Sequence, residues 1–387
     1  MSEWKEYKLG EIADVQTGPF GSQLHQSDYV DVGIPSIMPV NIGDRMNIST
    51  EKIVYITEED AVRLSRYRTQ KGDIVYSRRG DVEKCAYINE DEAGWLCGTG
   101  CLRIRIDSAH ADPKFVAYYL STEDMKSWIS NNAVGTTMPN LNSSILQQVP
   151  LSLPSLEEQK QIASILSSLD DKIDLLNREN ATLEAMAETL FRQWLIEEAK
   201  EDWEEGKLGD ICDYVTEKIN IGDIDKDSYI TTENMCSNKQ GIVKPSSIPE
   251  NIKVTKYLMN DVLLSNIRPY FKKLWLSDRS GGCSNDVLCI RSKEKTYKFF
   301  TYYTLRQDEF FDYVMIGSKG SKMPRGDKQH IMNWPIQIPP KQILSQFNDL
   351  TSVSIEKIRE NYKQISGLQI TKEILLPKFM SNEINIK

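Results

Sequence analysis

The stretch PSLEEQKQIASILSSLDDKIDLLNRENATLEAMAETLFRQWLIE, from Pro154 to Glu197, sets the layout of this chain. Ile162, Leu166, Leu169, Ile173, Leu176, Asn180, Leu183, Ala187, Leu190 and Trp194 recur in it at alternating steps of four and three. That is a heptad seam with its a and d positions filled. Asp171, Lys172, Asp174, Arg178, Glu179, Glu184 and Glu188 fall between them, as a solvated outer face requires. A helix from 162 to 194 spans roughly 50 Å at ~1.5 Å per residue, so it needs a partner helix to bury its stripe. One seam position is polar. Asn180 costs stability but disfavours slipped registers, because only one alignment gives its amide a partner; the plainer reading is a solvent-facing break in the stripe.

The partner lies in the same chain. Roughly 185 positions later the pattern returns as Phe347, Thr351, Ser354, Ile358, Asn361, Ile365, Leu368, Lys372, Leu375 and Phe379. Several slots are polar, with Leu350, Ile355 and Tyr362 beside them. Pro377 stands where the first copy has Arg192, which predicts an end or kink near Leu376. Two long helices that each need an apolar partner predict an intramolecular coiled coil.

The repetition extends over the whole chain. Trp4-Lys5-Glu6-Tyr7-Lys8-Leu9-Gly10-Glu11-Ile12 returns as Trp203-Glu204-Glu205-Gly206-Lys207-Leu208-Gly209-Asp210-Ile211. Lys71 to Arg79 answers to Met259 to Arg268, and Leu102-Arg103-Ile104-Arg105 to Leu288-Cys289-Ile290-Arg291. Gly135-Thr136-Thr137-Met138-Pro139 matches Gly320-Ser321-Lys322-Met323-Pro324. One unit of about two hundred residues is duplicated. Within it, residues 53–56, 73–76 and 102–106 read as strands. Residues 115–130 and 299–314 read as one helix each, and 149–154 and 334–340 as extended segments held by proline.

Bulk properties narrow the function. At 387 residues the chain suits two or more domains. No apolar run approaches the eighteen or so residues of a membrane span, and Met1 to Glu6 carries no signal core, so the expected location is the cytoplasm. Seven cysteines without a CxxC pair, and only His25, His110 and His330, predict reduced structural thiols rather than a zinc site. A net charge of −9 argues against a free-standing nucleic-acid binder, so positive charge has to come from local loops or a partner. No phosphate loop, nucleophile elbow or HExxH is present. The methyltransferase-type Asn/Asp-Pro-Pro-Tyr/Phe tetrapeptide is missing too, Asn266-Ile267-Arg268-Pro269-Tyr270 coming nearest. The chain reads as non-catalytic.

The two copies agree at scaffold positions and differ in loops, the pattern expected of two related but non-identical readers. In the second copy Asn266, Arg268, Tyr270, Lys272 and Lys273 combine groups that read base edges, stack and neutralise phosphates, and Lys319, Lys322 and Arg325 form a second basic loop. In the first copy the candidates are Ser22, Gln23, Arg78, Arg79, Lys84, Thr136, Thr137 and Asn140. Arg79 and Arg268 both stand just after the shared strand, which makes them the expected specificity residues. For any one of these residues, a merely solvated loop is an equally good reading; their recurrence at equivalent loops favours the set.

These features together resemble the DNA-sequence specificity subunits of type I restriction–modification systems. The resemblance rests on Trp4 to Ile12 and its repeat, on Gly135 to Leu141, and on Leu151-Ser152-Leu153-Pro154-Ser155-Leu156-Glu157-Glu158-Gln159 leading into the heptad helix. The second copy departs from that last element with Pro340-Lys341-Gln342-Ile343. The resemblance implies an α+β fold: two tandemly duplicated α/β target-recognition domains separated by two long helices in an antiparallel intramolecular coiled coil, with pseudo-twofold symmetry. The corresponding divisions are 1–150 and 201–338 for the recognition domains, with 151–200 and 339–387 for the helices. It further implies that each domain reads one half of a bipartite duplex target and that two modification subunits, which bind S-adenosylmethionine, clamp the DNA. No cofactor is implied in this chain, and whether restriction subunits join stays open. Half-sites about one turn apart, ~34 Å, would suit helices of this length. A non-DNA coiled-coil adaptor is the alternative; it accounts for the helices and acidity but not for duplicated units with divergent basic loops.

Overall fold

The computed structural model describes residues 4–135, 139–245, 247–250 and 252–384. The chain divides into two compact units, Met1–Asp174 with Ser366–Lys387, and Leu175–Ile365. Each long helix, Leu156–Arg192 and Lys341–Met380, therefore contributes its two halves to different units. Among the described residues no helix is long and apolar enough to cross a membrane.

In the first unit the motif at Trp4–Ile12 forms a strand, Lys5–Lys8, and a one-turn helix, Leu9–Ile12. The strand pairs antiparallel with Pro150–Leu153, joining the start of the chain to the segment that enters the first long helix. A four-stranded antiparallel sheet follows in the order Ala13–Thr17, Cys101–Ile106, Ile74–Ser77, Cys85–Tyr87. A second sheet runs Tyr29–Val30, Val54–Ile56, Ile34–Ile37, Leu96–Cys97, its last pair parallel.

The second unit repeats the scheme. Glu204–Lys207 pairs with Pro335–Ile338. The main sheet runs Cys212–Tyr214, Val287–Ser292, Val262–Ser265, Leu274–Leu276, the same order strand for strand. The other sheet differs: Lys218–Asn220, Lys253–Tyr257, Gly281–Cys283, Tyr229–Ile230. Here Gly281–Cys283 pairs directly with Lys253–Tyr257, whereas in the first unit Ile34–Ile37 lies between Leu96–Cys97 and Val54–Ile56.

The repeated sequence motifs serve this scaffold. Buried Asp73 accepts from Arg105 Nε and Nη2 at 2.8 and 2.7 Å, and from the backbone of Gln70. Buried Asp261 does the same with Arg291, at 2.8 and 2.6 Å, and with the backbone of Leu258. The preceding residue turns through positive φ in both copies, at Gly72 (92°) and Asn260 (73°), a conformation that glycine and asparagine tolerate best.

Three expectations need correction. The single helix read over 115–130 is two, Pro113–Leu120 and Glu123–Asn132. The hydroxyls of Ser121 and Thr122 donate to the carbonyls of Tyr118 and Tyr119, ending the first helix, while Thr122 accepts from Met125 N–H to start the second. Its counterpart likewise divides at Gln307, into Lys298–Arg306 and Asp308–Ile316. Pro377 does not end the second long helix, which runs on to Met380. A proline in the last turn removes only one intrahelical hydrogen bond, and Phe379 and Met380 beyond it are buried in the first unit's core.

Within each unit the long helices pair antiparallel. In the first, Ile162, Ala163 and Leu166 share a core with Phe379 and Met380. The polar slot Lys372 is satisfied by Asp170, at 2.7 and 2.8 Å, which also accepts from Tyr118 Oη at 2.6 Å. In the second, Phe191 packs on Phe347. Asn180 finds the partner its seam position requires: Asn361 Nδ2 donates to it at 2.8 Å and to Glu179 at 2.9 Å, with both asparagines buried. Thr351 keeps its seam slot and is buried, while Leu350 beside it faces solvent.

Candidate nucleic-acid interface

In each unit one hairpin of the main sheet carries a loop, residues 78–84 between Ile74–Ser77 and Cys85–Tyr87, and residues 266–273 between Val262–Ser265 and Leu274–Leu276. Backbone hydrogen bonds seat both loops in the same frame. Ser77 Oγ donates to Arg79 O at 3.0 Å, and Ser265 Oγ to Ile267 O at 3.1 Å. Arg78 N donates to Gly100 O and Asn266 N to Asp286 O, each at 2.8 Å. Leu141 N donates to Arg78 O, as Gly326 N does to Asn266 O. Gly80 N donates to Pro139 O, as Arg268 N does to Pro324 O. A second loop, closed on itself between Val134 and Asn140 in one unit and between Lys319 and Arg325 in the other, bridges to the first through Arg79–Asn140 and Ile267–Arg325.

This frame gives a residue-by-residue match that the sequence reading missed by one position. Arg78 corresponds to Asn266, Arg79 to Ile267, Gly80 to Arg268 and Asn140 to Arg325. Arg79 and Arg268 are therefore neighbours in the frame, not counterparts. Thr136 and Thr137 lie outside the described residues.

Charge separates the candidates further. Lys84 pairs with Asp44 at 2.9 Å and Asp81 at 3.4 Å, and the hydrogen bond to Asp44 leads in raising its pKa. Lys272 meets Asp308 at 3.0 Å, and Lys273 donates to Thr232 O at 2.6 Å. Asp308 also takes Lys239, and these two lysines hold its carboxyl below the usual range. Lys319 pairs with Asp327 at 2.8 Å, and that bond, with the backbone of His330, pulls the aspartate down to about 2. Arg325 reaches Asp286 at 3.2 Å. Among the described residues the side chains of Arg78, Arg79, Arg268 and Lys322 have no hydrogen-bond or ionic partner.

The remaining candidates are polar or aromatic. Tyr270 is 47% exposed, with its ring 4.7 Å from that of Phe271. Ser22 is exposed on a short turn, whereas the side-chain Oε1 of Gln23 accepts from Tyr67 Oη at 2.7 Å. Arg78 Nε, Asn140 Oδ1 and Asn266 Oδ1 are buried without a partner, all three inside this frame. They are three of twelve such atoms among the described residues, two in the first unit and one in the second.

Among the described residues no group of three or more His, Cys, Asp or Glu side chains could hold a metal ion. Burial pushes the thiol of Cys85 up to about 11 and those of Cys97 and Cys283 up to about 12, which makes them poor nucleophiles.

Comparison with known proteins agrees with the duplication. The model of the type I restriction modification DNA specificity domain matches residues 1–185 and again 200–365. The chain is 25% identical over 421 residues to the type I restriction enzyme MjaIX specificity subunit of Methanocaldococcus jannaschii, covering 100% of this chain and 94% of that one. It is 26% identical over 201 residues to the HindI specificity subunit of Haemophilus influenzae, covering 51% and 42%. The crystal structure of a type I restriction–modification S subunit from M. genitalium has the same fold, with a TM-score of 0.61 at 14% identity over 100% of this chain and 97% of that one.

Proposed function

The chain belongs to the type I restriction–modification DNA specificity family, and from that premise we propose that each unit reads one half of a bipartite duplex target through its loop frame. The observation that carries this reading is the frame itself. One set of backbone hydrogen bonds holds Arg78, Arg79, Gly80 and Asn140 in the first unit, and Asn266, Ile267, Arg268 and Arg325 in the second. Identical scaffolding with different exposed side chains is what two half-sites of different sequence require. An adaptor that only held proteins together would have no use for that contrast.

The same reading assigns the chain a non-catalytic role in the cytoplasm. Methyl transfer falls to two modification subunits, which bind S-adenosylmethionine. The long helices, each contributing without interruption to both units, set the gap between half-sites and dock those subunits. A net charge of −9 weighs against phosphate binding, and the internal pairing of Lys84, Lys272, Lys319 and Arg325 leaves Arg78, Arg79, Arg268 and Lys322 as the unpaired cations among the described candidate residues. Tight DNA binding should therefore need the partners. The test is a mobility-shift and methyl-transfer assay with labelled S-adenosylmethionine, on the chain alone and mixed with its modification subunits. Binding and methylation are expected only in the mixture. Methylation by the chain alone would overturn the non-catalytic role, and a mixture that ignores DNA would overturn the DNA reading.

A further inference from the structure

Arg268 sits in the left-handed region, with φ 50° and ψ 64°. Its counterpart in the frame is Gly80, with φ 75°. A side chain at such a position crowds its own backbone, and glycine is the residue that avoids this. The first unit shows that the frame itself needs no side chain there. It also shows that the position is open, because a Cβ added at Gly80 would meet nothing within 4 Å. The arginine is thus not explained by packing.

The turn that carries Arg268 is firmly held. Arg268 N donates to Pro324 O at 2.8 Å, Phe271 N to Arg268 O at 3.0 Å and Lys272 N to Pro269 O at 2.8 Å. Asn238 N and Lys239 N close the far side on Phe271 O and Lys272 O, each at 2.9 Å. Lys272 is left-handed as well, so the short helix Pro269–Phe271 is bracketed by two such residues. Around it Lys272, Lys273, Lys319 and Arg325 are occupied by internal partners. Arg268 is exposed and its guanidinium unpaired among the described residues, two positions before the exposed Tyr270.

A rigid tip, a planar five-donor fork with no internal partner, and a strained backbone form a costly way to make a phosphate contact, which any flexible lysine supplies. They suit a base edge that must be met in one geometry, and guanine O6 and N7 present the acceptor pair that an arginine fork matches. Resting on the DNA reading above, we propose that Arg268 reads a guanine in the major groove of the second unit's half-site. At the frame position of Gly80, the first unit has no equivalent reader.

The test uses the full chain assembled with its modification subunits, with Arg268→Gly and Arg268→Lys compared against the native chain. Competition binding is measured on target duplexes in which each guanine of that half-site is replaced in turn by 7-deazaguanine, which lacks the N7 acceptor. The native complex should lose about tenfold at one guanine, and both variants should lose nothing further there. Arg268→Gly should make that one position degenerate, leave the other half-site unchanged and unfold at the same or a higher temperature. Equal weakening on all sequences, full rescue by lysine, or a half-site in which no guanine is sensitive would overturn the proposal while leaving the DNA reading intact. A native complex that binds no duplex would instead remove the reading on which it rests.

Discussion

Phe191→Ala will destabilise the second unit by about 3–5 kcal/mol, the range for truncating a buried phenylalanine. Phe191 lies on the first long helix and is 4% exposed. Its ring stands 6.0 Å from Phe300, 5.9 Å from Tyr303 and 5.9 Å from Phe347. It therefore joins the helix pair to the globular part of its own unit, and alanine leaves a cavity among three large rings that cannot close by small shifts. Arg306, held between Glu184 and Glu188 on the same helix, secures the same junction from one side and cannot fill that space. Chemical denaturation of the full chain, followed by circular dichroism, measures the loss. A change under about 1 kcal/mol would mean the aromatic cluster is not a shared core.

Arg105→Ala carries the second large effect, about 3–5 kcal/mol in the first unit. Asp73 is 1% exposed and takes both of its strong hydrogen bonds from that guanidinium. Removing the arginine leaves a buried carboxylate with the Gln70 amide as its remaining donor. A double variant, Asp73→Asn with Arg105→Ala, removes the stranded charge and should recover part of the loss. If the single and double variants are equally stable, the pair does not hold the sheet. The equivalent pair, Asp261 with Arg291, predicts the same behaviour in the second unit. The repeated Asp73–Arg105 and Asp261–Arg291 motifs are thus scaffold, and the proposed reading is left to residues that differ between copies.

The duplication and the seam were legible because each leaves a local signature. Heptad spacing placed Asn180 and Asn361 in the same seam before their 2.8 Å hydrogen bond was known. The repeat likewise located both loops. What could not be read was how far the matching runs within them, because the second loop is one residue longer; counting from the shared Ser77 and Ser265 sets Gly80 against Arg268, and the bonds to Pro139 and Pro324 fix that match. Nor could the neutralised cations be told from the free ones. Lys84 is held mainly by Asp44 and Lys272 by Asp308, both far away in sequence, so a basic run looked more available than folding leaves it. The exchange of strand order in the smaller sheet has no local signature either, since short strands of similar composition can pair in either order.

That the two loop frames read separate halves of one target is tested most directly by mapping every methylated base in cells that carry the chain with its modification subunits. The native chain is compared with a variant combining Arg78→Ala and Arg79→Ala. The native map should reduce to one motif of two defined halves with a fixed gap. The variant map should keep one half and the gap while the other half loses definition. A native motif without a gap, or a variant in which both halves degrade together, would contradict two independent readers.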